Sequence, residues 1–185
     1  EDADAAAVLV HGRGATARSI VQMAEAFPTE RMAYLAPQAA RNTWYPNPFT
    51  APVESNEPGR SSGLQAIDDA VERTLDAGIP LERVLVLGFS QGACLSSEYV
   101  ARNPRRYGGL AALSGGLIGE SVDAEAYAGD LEDTPVFLGC SDVDPHIPAE
   151  RVRETAAVFE ALNGDVDMRL YEGIAHTVNR SIPGC

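Results

Sequence analysis

The chain has 185 residues, which is enough for one domain with a sizeable core. Its formal net charge is −13, and its 14 cationic residues are all arginine, because lysine is absent. This charge balance argues against nucleic acid or an anionic membrane as the main partner, and no apolar run approaches the length of a membrane span.

The acidic, lysine-free composition has two explanations. Salt-adapted proteins tolerate strong self-repulsion because salt screens it. A genome with biased codon use would also place arginine where other chains carry lysine. The sequence favours salt adaptation slightly and leaves both open.

The cysteines predict the compartment. Cys94, Cys140 and Cys185 are an odd number without the spacing of a disulfide framework, so we expect free thiols in a reducing, cytoplasmic environment. No cysteine and histidine cluster has zinc spacing, and no metal or other cofactor is expected. The oligomeric state is open, with a homodimer as one possibility.

Strand and helix patterns alternate along the chain. Apolar runs predict strands, and a repeat of apolar residues every three to four positions predicts helices. We expect a single α/β domain over residues 1–185, a doubly wound, mostly parallel sheet of about six strands with no lid domain. The predicted strands cover 5–10, 32–36, 84–87, 109–113, 136–139 and 166–171, and the predicted helices cover 16–27, 64–77, 93–102 and 149–162.

A long loop is predicted from Gln38 to Arg60, rich in proline and mixed in polarity. Loops of this length inside a compact domain usually have a function. Trp44, Tyr45 and Phe49 lie in it, and we expect these three side chains to shape a substrate pocket. The alternative is that their rings cover the edge of the core.

The stretch from Val84 to Ala93 organises the rest of the chain. A buried strand stops at Gly88, Ser90 follows, and Gly92 precedes a helix, which is G-x-S-x-G in the strand-to-helix context that this motif requires. A nucleophilic serine on so tight a turn crowds the residues two before and two after it, so both must lack a Cβ. The alternative is a plain strand-to-helix connection whose serine caps the helix.

A serine nucleophile needs a base, and the base needs an orienting acid. Ser90, Asp144 and His176 each follow a predicted strand, and their order is that of α/β-hydrolases. Of the other histidines, His11 is expected to shape its loop, and His146 is too close in sequence to Asp144 for an easy triad. Asp142 is the competing acid, although an aspartate there usually bonds backbone amides.

Two backbone N–H groups are needed to bind the tetrahedral intermediate. One is expected from Gln91, directly after the nucleophile. The other is expected from Arg13, in the loop after the first strand, where Gly12 and Gly14 let the backbone bend close.

Together, these motifs resemble the phospholipase/carboxylesterase family of α/β-hydrolases, which includes acyl-protein thioesterases and small bacterial carboxylesterases. The resemblance implies Ser90, Asp144 and His176 as the triad and the Arg13 and Gln91 amides as the oxyanion hole. Arg13 departs from the apolar residue that the family often has there. The motifs are His11-Gly12-Arg13-Gly14, Gly88-Phe89-Ser90-Gln91-Gly92-Ala93, Leu113-Ser114-Gly115, Asp144-Pro145-His146-Ile147-Pro148 and Gly173-Ile174-Ala175-His176-Thr177.

The expected function is hydrolysis of short- to medium-chain carboxylic esters or thioesters, small-molecule substrates, through an acyl-enzyme. One alternative is a thioesterase that deacylates proteins or lysophospholipids. Another is a catalytically silent member of the fold that binds a small hydrophobic ligand.

Overall fold

The structure is a computed structural model that describes residues 3–25 and 31–173. Its six strands form one sheet, and every neighbouring pair is parallel. The order across the sheet is β2-β1-β3-β4-β5-β6, which confirms the predicted α/β-hydrolase sheet. The strands are β1 Ala5–Val10, β2 Met32–Leu35, β3 Val84–Phe89, β4 Gly109–Leu113, β5 Pro135–Ser141 and β6 Asp165–Tyr171.

In the described part of the chain, four α-helices cover the two faces of this sheet: α1 Ala17–Ala24, α2 Gly59–Asp76, α3 Gln91–Arg102 and α4 Ala149–Ala161. The chain steps from β1 sideways to β2, then back across β1 to β3, and onward to β6. Because parallel crossovers are right-handed, this reversal places α1 on one face and the other three helices on the opposite face. The two apolar clusters follow the same division.

The reversal also decides where a site can form. β1 and β3 are neighbours whose following segments leave in opposite directions, so a crevice opens beyond their carboxyl ends. Val10 pairs with Gly88 in register, and the loops after both strands therefore start side by side. No lid domain covers this crevice within the described residues.

The start of α2 differs from the prediction. The helix begins at Gly59, five residues before Leu64, and two short 3₁₀ turns interrupt the loop before it. A Cβ on Gly59 would lie 2.5 Å from the Trp44 carbonyl oxygen, and one on Gly63 would lie 2.8 Å from Leu95. Close packing against backbone thus requires glycine at position 59, whereas the Leu95 side chain could shift to relieve the contact at position 63. Glycine in the first turns also hides the apolar repeat that reveals a helix.

A fully buried carboxylate, Glu98, ties the central helix to its surroundings. Its Oε1 accepts from the guanidinium groups of Arg60 at 2.9 Å and Arg102 at 2.5 Å. Its Oε2 accepts from the Ile118 N–H at 3.1 Å and the Tyr127 hydroxyl at 3.0 Å. A buried charge is tolerated only when it is paired and hydrogen-bonded to this extent. The network joins α2 and α3 to the β4–β5 connection, residues 114–134, which contains one short 3₁₀ turn and no α-helix.

No helix in residues 3–25 or 31–173 is long and apolar enough to cross a bilayer.

The net charge of −13 leads to a testable prediction about salt. We expect the melting temperature to rise by several degrees from dilute buffer to 1 M KCl, since molar salt shortens the screening length to about 3 Å and weakens the repulsion. Thermal unfolding followed by circular dichroism measures this. The gain should shrink as the pH is lowered toward the isoelectric point. A flat or falling dependence at neutral pH would favour codon bias as the reason for the missing lysine.

Candidate active site

Ser90, the predicted nucleophile, has a strained backbone. It lies between β3 and α3 with φ 55° and ψ −118°, a region that side-chain-bearing residues rarely adopt. Its N–H donates to the Leu113 carbonyl at 2.9 Å, and its own carbonyl accepts from the Cys94 N–H at 3.0 Å. Strain of this kind is retained where the surrounding structure holds it, typically at functional sites.

The two flanking glycines are required sterically, as the motif predicted. A Cβ on Gly88 would lie 2.3 Å from the Gly92 carbonyl oxygen. A Cβ on Gly92 would lie 2.1 Å from the carbonyl oxygen of Val10. Both distances are far below van der Waals contact with backbone that cannot move aside, so the serine can be presented on this turn only with glycine on both sides.

The loop after β1 lies directly against this turn. A Cβ on Gly12 would lie 3.2 Å from the Phe89 ring and 3.4 Å from the Ser90 Cβ. His11 is fully buried; its Nε2 accepts from the Ala39 N–H at 3.1 Å, and its Nδ1 lies 2.8 Å from the Gly12 carbonyl oxygen. The Nδ1 therefore carries the proton and donates. His11 shapes the loop, as predicted, and both of its ring nitrogens are engaged with backbone groups, which argues against a role as the base.

The side chains of the two predicted oxyanion residues, Arg13 and Gln91, both contact the backbone of residues 44–47. The Arg13 guanidinium donates to the carbonyl oxygens of Tyr45, Pro46 and Asn47, at 2.9, 3.0 and 3.0 Å. The Gln91 amide donates to the Tyr45 carbonyl oxygen at 2.8 Å and accepts from the Trp44 N–H at 2.9 Å. The sequence predicted a role only for the backbone of these two residues.

The competing acids make different contacts. Asp144 Oδ1 accepts from the N–H groups of His146 and Ile147, at 2.8 and 3.0 Å, and its Oδ2 lies 3.8 Å from the Cys140 Sγ. Asp142 accepts from the Gly173 N–H at 3.0 Å. Asp142 thus makes the backbone contact that the sequence proposed for it. His176 lies outside the described residues.

Two described thiols lie near these groups. Cys94 and Cys140 are both buried and free. Burial raises the pKa of Cys94 to about 12, and burial together with the Asp144 charge raises the pKa of Cys140 to about 12. Neither is a thiolate near neutral pH, so neither competes with Ser90 as a nucleophile.

A cavity of about 400 Å³ opens beside Ser90. Its walls come from the elbow, the loop after β1, the loop after β5 and the segment 42–50, which we call the aromatic loop. Both predicted oxyanion residues border it, with two of the three predicted pocket aromatics. The lining residues are Arg13, Tyr45, Pro46, Pro48, Phe49, Ser90, Gln91, Cys94, His146 and Ile147.

Trp44, the third aromatic, is not among the described residues that line this cavity. Its side chain is 7% exposed, its Nε1 donates to the His11 carbonyl at 2.8 Å, and its ring lies 4.9 Å from the His11 ring. The indole therefore belongs to the core beneath the pocket, which is the alternative that the sequence left open for these rings.

Arg151, on α4, was not singled out in the sequence. It is buried, it donates to the carbonyl oxygens of Leu117, Gly119 and Glu120, and its guanidinium lies 5.5 Å from the centre of the Phe49 ring. It fixes one wall of the cavity. An arginine in an amphipathic helix is normally predicted to be solvent-exposed, and nothing in the neighbouring sequence indicates that Arg151 is buried.

Comparison with known proteins agrees with the fold and the motifs. A model of the phospholipase/carboxylesterase family matches residues 1–182. This chain belongs to that family. The predicted resemblance is confirmed, and the protein has the α/β-hydrolase fold.

A solved phospholipase/carboxylesterase from Dyadobacter fermentans is 43% identical to this chain and superposes on it with a TM-score of 0.93. The match covers 96% of this chain and 85% of the other. Acyl-protein thioesterase 1 of Kluyveromyces lactis is 35% identical over 124 residues, which cover 65% of this chain and 54% of that protein. A probable inactive carboxylesterase of Oryza sativa subsp. japonica is 28% identical, covering 92% of this chain and 77% of that one. The chain spans about half the length of the first of these curated relatives.

Proposed function

We propose that this protein is a serine carboxylesterase that cleaves short- to medium-chain carboxylic esters through an acyl-enzyme on Ser90. The observation that carries the proposal is the position of Ser90, on a strained elbow at the wall of a cavity of about 400 Å³. That volume lies at the small end of the range for ligand pockets, which favours a short acyl chain.

In the proposed mechanism, the Ser90 Oγ attacks the acyl carbon while His176 takes its proton. The N–H groups of Arg13 and Gln91 donate to the oxyanion that forms. Asp144 holds the imidazole in the tautomer that can accept the proton, and His176 then returns the proton to the leaving group. In deacylation, water attacks the acyl carbon while His176 takes a proton from it, and the acyl–Oγ bond then breaks as His176 returns that proton to Ser90, which releases the carboxylic acid.

The acyl chain is proposed to lie along Tyr45, Phe49 and Ile147. Tyr45 and Phe49 are 2% and 6% exposed and belong to the main apolar cluster, so they cannot yield to a longer chain without disturbing the core. This rigidity supports a limit on chain length.

A panel of p-nitrophenyl esters from acetate to palmitate tests the substrate range. We expect kcat/KM to peak at butyrate to octanoate and to fall steeply at palmitate. Phe49→Ala should move the optimum to longer chains, because it removes a wall of the cavity and leaves the elbow unchanged. Phe137→Ala, an equal truncation on β5 outside the cavity lining, is the matched control and should keep the wild-type profile. A palmitate optimum in the wild type would contradict the short-chain assignment.

The main alternative is a thioesterase that acts on acylated proteins or lysophospholipids. The similarity to the acyl-protein thioesterases of yeasts favours it. Hydrolysis of a palmitoylated peptide thioester faster than any small ester would support this alternative.

A catalytically silent, ligand-binding protein is the second alternative, and the rice relative gives it weight. A fluorophosphonate probe decides between catalysis and silence, since only an activated serine reacts with it. We expect labelling at Ser90 in folded protein and none after denaturation.

A further inference from the structure

The Arg13 guanidinium makes an unusual set of contacts. It donates to three successive carbonyl oxygens of the aromatic loop, those of residues 45, 46 and 47. A guanidinium is planar and presents several N–H groups in fixed directions. That geometry suits three carbonyl acceptors on consecutive residues of a loop. An ammonium on a flexible stem has no comparable geometry.

The Tyr45 carbonyl oxygen is the point where two side chains meet. It accepts from Arg13 at 2.9 Å and from Gln91 at 2.8 Å. These are the two residues whose backbone N–H groups are proposed to form the oxyanion hole. The wall of the acyl pocket and both proposed oxyanion donors are therefore joined through one carbonyl oxygen.

A further contact joins the same two segments. The Gly14 N–H, one residue after Arg13, donates to the Asn42 carbonyl oxygen at 2.7 Å. The loop after β1 and the aromatic loop thus contact each other through backbone on one side and through the guanidinium on the other. If the guanidinium contacts were lost, the loops could separate at the Tyr45 end and hinge about the Asn42 end.

Because Arg13 is exposed, we expect its contacts to control the position of the aromatic loop and not the stability of the fold. The residue is exposed, so hydrogen bonds and charge effects there contribute little to global stability. A contact that is weak for the fold can still determine the position of a loop to within an ångström. At a reacting centre, an error of that size is costly.

We propose that the Arg13 side chain is a positioning residue that locks the aromatic loop onto the elbow, setting the chain-length limit of the pocket and the alignment of the oxyanion donors. The inference rests on the proposed esterase function. It assigns to the guanidinium a role separate from that of the Arg13 backbone amide.

Trp44 provides a readout that does not depend on activity. It is the only tryptophan in the chain, it lies in the aromatic loop, and its N–H groups bond Gln91 and His11. Its emission and its quenching by acrylamide therefore report on whether this loop is docked.

The test compares Arg13→Met, Arg13→Lys and Gln91→Glu with a matched control, Arg106→Met. Arg106 also donates to backbone carbonyls, those of Glu132 and Asp133, away from the cavity. Each variant is measured for Trp44 fluorescence, melting temperature, fluorophosphonate labelling, and kcat and KM across the p-nitrophenyl ester panel.

For Arg13→Met we expect a slight red shift and faster acrylamide quenching of Trp44 at a melting temperature close to that of the wild type, because the loop shifts by about 1 Å without leaving the core. We expect kcat on acetate to fall by about tenfold to a hundredfold, the size of effect that misplacement of about 1 Å produces. Discrimination between butyrate and longer esters should flatten. Arg13→Lys should resemble Arg13→Met, and Gln91→Glu should also loosen the loop, because a carboxylate oxygen would face the Tyr45 carbonyl oxygen. Arg106→Met should leave all these readouts unchanged.

Three outcomes would overturn the inference. Unchanged Trp44 emission in Arg13→Met would show that the loop stays docked without the guanidinium. Full rescue by Arg13→Lys would show that charge matters and the fork does not. Equal losses in Arg106→Met would indicate a general effect of removing arginine. If the wild type hydrolyses no ester and takes no fluorophosphonate label, the proposed function fails, while the fluorescence still decides whether Arg13 holds the loop.

Discussion

Ser90→Ala should lower kcat for ester hydrolysis by about a million-fold, and His176→Ala should do the same, because a serine and its base act as one unit. The double variant should lose no more than either single variant. The fold should remain intact in Ser90→Ala, since the close packing of Gly88 and Gly92 and the backbone hydrogen bonds of residue 90 hold the elbow. Ester turnover, with circular dichroism for the fold, measures both effects.

His146 provides the internal comparison for the base. It lines the same cavity as Ser90, and its backbone N–H already bonds Asp144. We expect His146→Ala to keep most of the activity and the fluorophosphonate labelling. Loss of activity in His146→Ala together with an active His176→Ala would show that the assigned base is wrong.

Asp144→Asn should lower kcat by about ten-thousand-fold, since an amide facing the imidazole favours the wrong tautomer. The contacts of Asp144 explain why this variant should still fold. Its Oδ1 accepts from two backbone N–H groups, and an asparagine oxygen can keep both bonds. The substitution then changes only the second oxygen into an N–H₂ group, which cannot accept a hydrogen bond from the imidazole N–H.

Asp142→Asn is the matched control on the same loop. The Gly173 N–H donates to the Asp142 carboxylate, and an asparagine side-chain oxygen accepts that hydrogen bond equally well. We therefore expect Asp142→Asn to lower kcat far less than Asp144→Asn does. The opposite ranking of the two variants in kcat, at equal melting temperature, would transfer the role of acid to Asp142.

The fold was largely predictable because its signals are local. β1 and β4 have the predicted bounds, and the other strands agree within two residues, because a buried parallel strand is a short apolar run with clear ends. The elbow was predictable for the same reason: its serine and both glycines lie within five residues. The assignment of His176 remains a prediction, since that residue lies outside the described part of the chain.

What the sequence did not reveal are contacts between distant segments. Glu98 reads as an ordinary charged residue of a helix, yet its side chain is fully buried and bonded to α2 and to the β4–β5 connection. The side chain of Gln91 binds a loop 46 residues away. Tyr45 and Phe49 line the cavity while Trp44 packs on His11, and the three rings cannot be told apart in this respect from the sequence.

The β4–β5 connection gives this fold a place to vary. Its first part is fixed to buried side chains, while residues 123–126 are exposed and bear no strand or α-helix. The Gly119 N–H donates to the Phe49 carbonyl oxygen at 2.8 Å, so the connection adjoins a wall of the cavity. Added residues at such a surface tip have a low entropic cost. Insertions in this connection, natural or engineered, can therefore change the shape of the pocket mouth while the sheet and the elbow stay unchanged.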